Sequence, residues 1–229
     1  MLKYFIYSSI IVMFFLTIKY AFKVVIDNEK NYFTFLKKIY FTNFIVYLYS
    51  IIIFSIIFII IITIGINYNY MPFFLKWSYL SLLNDQPTNL VSNSIIEIDG
   101  VTPSNYKIII LFIIWIITLL LLPILAYNEE VTFRSYNTNN KDILKSSSIF
   151  ALIHIPFGIP IYTLVILFIL GIFFSLLYRK KYLNQKFDEK NLEYDVENAN
   201  KIATIHVSQV HTLYNLIIFS ILIFYLMGK

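Results

Sequence analysis

Long, nearly uncharged apolar runs recur along this chain, and they limit what it can fold into more than any other feature. A bilayer core about 30 Å thick takes roughly 20 apolar residues of helix to cross. Residues 44–66 are almost all Ile, Phe and Tyr, residues 108–127 are as apolar with Pro123 near their end, and 161–178 and 202–227 repeat the pattern. Residues 4–26 form another run, with Lys19 and Lys23 placed where long side chains can snorkel. No small-residue cleavage site follows it, so it reads as a retained span rather than a signal peptide. Residues 148–156, extended back to 142, read as a partial or tilted span before the breakers Gly158 and Pro160. The expected fold is an all-α polytopic membrane protein of about six transmembrane helices, because open strands leave backbone groups unpaired in lipid.

Composition agrees and removes other classes. Hydrophobic residues make up 59% and charged residues 14%, against about 25% charged in soluble domains. Too few polar side chains remain to cover a water-facing globule. That excludes a soluble domain, a disordered chain and a nucleic-acid binder despite the net charge of +5. Cys is absent, which removes disulfides, thiolate metal sites and Cys nucleophiles together. The 22 Phe and 19 Tyr, with many Ile, Asn and Lys, point to AT-rich coding, so an isolated Asn, Tyr or Lys carries little weight.

Residues 1–229 read as one integral membrane domain. Its N-terminal part, 1–107, ends in a hydrophilic stretch from 67 that holds an interfacial aromatic piece (71–83) and an Asp99-Gly100 turn. Its C-terminal part, 108–229, carries a charged loop at 179–201. Lys and Arg concentrate in 27–43, 128–147 and 179–201. These three share a side if the short fourth segment reverses with its successor, and the positive-inside rule then makes that side cytoplasmic.

Ionisable groups within or beside spans are costly and are functional candidates. They form three clusters: Asn128-Glu129-Glu130 through Arg134, Phe150 with His154, and His206 through His211 to Asn215. Glu130 and Arg134 are four apart and can pair on one helical face, leaving Glu129 pointing elsewhere. Phe150 and His154 share a face, as do His211 and Asn215, whereas His206 faces away. Each cluster alone has an ordinary structural explanation, such as a span-end ion pair or a histidine bonded to a nearby carbonyl. Together they supply a carboxylate, two imidazoles and an amide, the groups needed to activate a water and stabilise an oxyanion.

These motifs resemble the CPBP intramembrane proteases, which include the type II CAAX prenyl endopeptidases. The family pattern is Glu-Glu-x-x-x-Arg, Phe-x-x-x-His and His-x-x-x-Asn on successive membrane helices. It is similar here to Glu129-Glu130…Arg134, Phe150…His154 and His211…Asn215. The flanks are similar too: Phe133, Ser146 to Ser148, and Gly171 with Tyr178-Arg179. Ser135 stands where the family usually has Gly, and 179–201 lengthens the last interval; neither removes a chemical group. The resemblance implies an active site inside the C-terminal helical bundle. Glu129 would be the general base, His154 its partner in positioning water, and His211 and Asn215 the oxyanion donors, with Glu130–Arg134 a structural ion pair. It also implies a membrane-associated peptide or protein substrate, in a bacterial cytoplasmic membrane. No cofactor is expected; the alternative is a zinc ion on Glu129, His154 and His211. The rival functions are a non-catalytic immunity or scaffold protein and a small proton-coupled transporter.

Overall fold

The computed structural model describes residues 2–29, 31–67, 70, 105–157, 159–186 and 196–227. Regular structure among them is entirely helical: α1 (Leu2–Glu29), α2 (Tyr32–Tyr40), α3 (Phe44–Asn67), α4 (Asn105–Arg134), α5 (Asn140–Leu152), α6 (Ile161–Lys186) and α7 (Val196–Met227), with a 3-10 turn at Ile155–Phe157. Four of these carry stretches long and apolar enough to cross a membrane: Phe44–Ile61, Ile108–Arg134, Ile161–Gln185 and Val196–Met227. The expected interfacial piece and the Asp99-Gly100 turn fall outside the described residues.

Three bounds differ from the sequence reading. The run expected over 108–127 continues as one helix to Arg134, so the whole acidic cluster lies within it. The fourth segment is a helix of 13 residues, about 20 Å long at 1.5 Å per residue and too short to cross. Asn139 caps it by accepting Asp142 N–H at 2.8 Å, and it ends two turns before Pro160. The segment 179–201 is mostly helix: α6 extends to Lys186 and α7 begins at Val196.

α7 is the central element, packed against α2, α3, α4 and α6. Its small residues Ala199, Ala203 and Ser208 let neighbours approach closely, as such residues do in membrane bundles. Ser50 of α3 shows that proximity: its hydroxyl donates to Val46 at 2.8 Å and lies 3.2 Å from the Val210 carbonyl of α7. α5 and α6 meet at Gly171, where a Cβ would lie 3.0 Å from Ser147 Cβ and 3.1 Å from its Cα, so only glycine fits without displacement. A second core joins α1, α2 and α4 through Ala21, Val25, Phe35, Ile39, Ile124 and Tyr127.

Contacts at one end of the bundle decide its topology. Arg179, two turns before the end of α6, donates to Asn140 at the start of α5 at 2.7 Å. The Tyr178 hydroxyl accepts the Tyr136 N–H at 2.9 Å and donates to Asn200 of α7 at 2.5 Å. The end of α4, the start of α5, the C-terminal third of α6 around Tyr178–Arg179 and the start of α7 therefore meet, gathering Lys141, Lys145, Arg179, Lys180 and Lys181 on that side. α5 descends from that end and α6 returns to it.

Candidate active site

The last turns of α4 present two successive carboxylates, about 100° apart around the helix. Glu130 is fully buried, whereas the Glu129 side chain keeps 31% of its exposure. Arg134, one turn on, brings Nε within 3.3 Å of Glu130 Oε2. That separation is an ion pair without hydrogen-bond alignment. Glu130 Oε2 and all three guanidinium nitrogens lack a hydrogen-bond partner among the described residues. Aromatic rings take the partner's place. The guanidinium carbon lies 4.2 Å from the Phe150 ring centroid, 5.7 Å from Phe133 and 5.9 Å from Phe174, so α4, α5 and α6 each contribute a face to its cage. Such cation–π contacts strengthen with desolvation.

His211 of α7 reaches this cluster from across the bundle. Its Nδ1 is 2.7 Å from Glu130 Oε1, and Nε2 is 3.7 Å from Glu129 Oε2. One imidazole thus stands between two consecutive carboxylates. A carboxylate only accepts, so Nδ1 carries the proton shared with Glu130. Phe174 stacks on the ring at 4.6 Å and 24°, and Phe150 meets it edge-on at 6.5 Å. The Glu129 side is the more open one, and its gap to Nε2 is wider than a hydrogen bond.

The structure therefore brings Glu129, Glu130, Arg134 and His211 into direct contact. His154 is joined through Phe150: it lies in the turn after α5, its ring edge-on to Phe150 at 4.9 Å, with Nδ1 donating to the Phe150 carbonyl at 2.7 Å. Nε2 of the neutral ring is then the acceptor nitrogen. Asn215 is one turn beyond His211 and half-buried; no hydrogen bond joins it to the cluster among the described residues. Glu129 is not left pointing away, as spacing along one helix implied, because a second helix supplies His211 opposite it. Phe174 has no advance signal among 22 Phe. The role of Tyr178, which holds the α4–α5 turn where Tyr136 takes a left-handed φ of 64°, is likewise not visible in the sequence.

No group of three or more His, Cys, Asp or Glu that could hold a metal occurs among the described residues. Fold and site together define a class: among the described residues, an all-helical fold with helices long and apolar enough to cross a membrane and a buried carboxylate–imidazole–guanidinium cluster. Compared with family models, curated proteins and solved structures, the chain gives no match in any of the three.

Proposed function

We propose that the chain is an intramembrane peptide hydrolase of the CPBP type, acting on a membrane-associated peptide or protein. The observation that carries this reading is His211 standing between Glu129 and Glu130. Residues 81 apart in sequence meet there in a buried setting whose Glu129 side is more open than its Glu130 side.

In this reading Glu129 takes a proton from water, whose oxygen attacks the scissile carbonyl carbon. His154, its tautomer set by the Phe150 carbonyl, helps to hold that water. The tetrahedral oxyanion is met by His211 and Asn215. Because Nδ1–H is committed to Glu130, His211 offers Nε2–H to an oxyanion only as the imidazolium, and Glu130 is its counter-ion. Collapse breaks the C–N bond, and Glu129 returns its proton to the leaving nitrogen. No step draws on a metal. Glu130 and Arg134 hold the end of α4 against α5, α6 and α7.

The setting proposed is a bacterial cytoplasmic membrane. α1 adds a further crossing, α5 is a half-span, and the Lys/Arg-rich end faces the cytoplasm. Substrates then reach Glu129 from that side. The test is cleavage of a labelled membrane peptide by purified protein, with Glu129→Gln alongside. Turnover by wild type and none by the variant supports the reading; equal turnover removes Glu129 from it. A folded protein that cleaves nothing favours the scaffold alternative. Because the chain has no native Cys, a Cys at Lys145 reports topology, and its labelling by an impermeant reagent from outside intact cells would reverse the orientation.

A further inference from the structure

Pro123 leaves one carbonyl of α4 without its helical donor. Proline has no N–H, so the carbonyl four residues earlier, that of Leu119, loses its intrahelical bond. In lipid such a group needs another partner. Tyr40 of α2 donates its hydroxyl to that carbonyl, and Tyr32 donates to the adjacent Leu120 carbonyl at 2.5 Å. Burial pushes the Tyr32 phenol up to about 12 and raises that of Tyr40 as well, so both keep the donated proton across the neutral range. Beyond the proline, Phe35 of α2 packs edge-on against Tyr127 at 5.2 Å and 68°. α2 thus grips α4 on both sides of Pro123. It also grips α7: Gln209 donates Nε2–H to the Lys38 carbonyl at 2.8 Å. Tyr127 is two residues before Glu129, and Gln209 two before His211.

We propose that α2 is a splint that fixes the Glu129–Glu130 turn of α4 against His211 of α7, with Tyr40, Tyr32 and Gln209 as its positioning residues. Its catalytic meaning rests on the hydrolase reading; its geometry does not. Glu129 lies about 9 Å along the axis beyond Pro123. A change of about 20° in bend at a proline moves it by about 3 Å, comparable to its whole separation from His211. A misplacement of about 1 Å already costs roughly 10²-fold in rate.

The experiment is a double-mutant cycle in detergent. Spin labels on introduced Cys at Thr132 (α4) and Ile202 (α7) report the spacing of the two helices. Tyr40→Phe should lower the unfolding midpoint by about 2–4 °C and broaden the label distance distribution. In a Pro123→Ala background the restored N–H caps Leu119, so Tyr40→Phe should do neither. Gln209→Ala, which cuts the other end of the splint, should broaden the distribution in either background. Equal midpoint loss with and without Pro123 overturns the capping role. A lowered midpoint with an unchanged distribution overturns the positioning role. A labelled membrane peptide that wild type cleaves completes the test: Tyr40→Phe should lower kcat about tenfold with KM unchanged. Failure of wild type to cleave any peptide would remove the hydrolase reading and leave the splint to be judged by the labels.

Discussion

The two halves of α4 are built on opposite plans, and Pro123 divides them. Before it, Ile109, Ile110, Phe112, Ile113 and Ile117 are about half exposed. After it, Ile124, Ala126, Tyr127, Asn128, Glu130 and Arg134 are buried, the two ionic residues completely. In water this order would be reversed. A lipid-facing half would need no protein cover, whereas ionic residues in an apolar bundle do, and α2, α5, α6 and α7 supply it to the inner half. The lesson is local: along α4 the enclosed stretch is the one that carries Glu130 and Arg134, not the one richest in apolar residues.

The largest effect expected is on chemistry in the inner half. Glu129→Gln should reduce peptide cleavage by about 10²–10⁴-fold while leaving protein levels unchanged, measured as turnover per folded molecule. Next, Glu130→Ala should cost about 3–5 kcal/mol, because it strands the caged Arg134 charge. It should appear as poor accumulation and a lowered unfolding midpoint. Normal levels would mean that the aromatic cage alone suffices, and the contrast between the halves would weaken. Gly171→Ala tests the seat of α5, which carries Phe150 and His154. Its Cβ meets Ser147 backbone and side chain, and overpacking of that kind costs about 1–3 kcal/mol. The smallest effect belongs to the outer half: Ile109→Ala and Ile113→Ala should stay within about 0.5 kcal/mol. A large loss at either would show that a protein surface, not lipid, covers this face.

Much of this architecture was legible in the sequence. Helices long and apolar enough to cross announce themselves because a bilayer demands long uncharged runs, and residues 44–66, 108–127, 161–178 and 202–227 each lie within one observed helix. The fourth segment was harder to read, because the stretch 148–156 reaches past the end of the helix at Leu152 into a 3-10 turn. In the site, the Glu130–Arg134 proximity followed from their spacing. The approach of His211 to both glutamates did not, since spacing within one helix says nothing of which helix will face it. The clasp on Leu119 was half legible. Pro123 announces a carbonyl in need of a donor, but not that Tyr40, 79 residues away, supplies it.

The reach from Glu130 to His211 also sets a timetable. The two residues are 81 positions apart, about 4–16 s of synthesis at roughly 5–20 residues per second. During that interval α4, α5 and α6 have been made, but the imidazole that joins both carboxylates has not. The acidic pair therefore has Arg134 at hand in that interval but no imidazole to share. A nascent chain cannot assemble its cluster early, and a ribosome that stalls before α7 releases a product with the cage but no histidine between the glutamates.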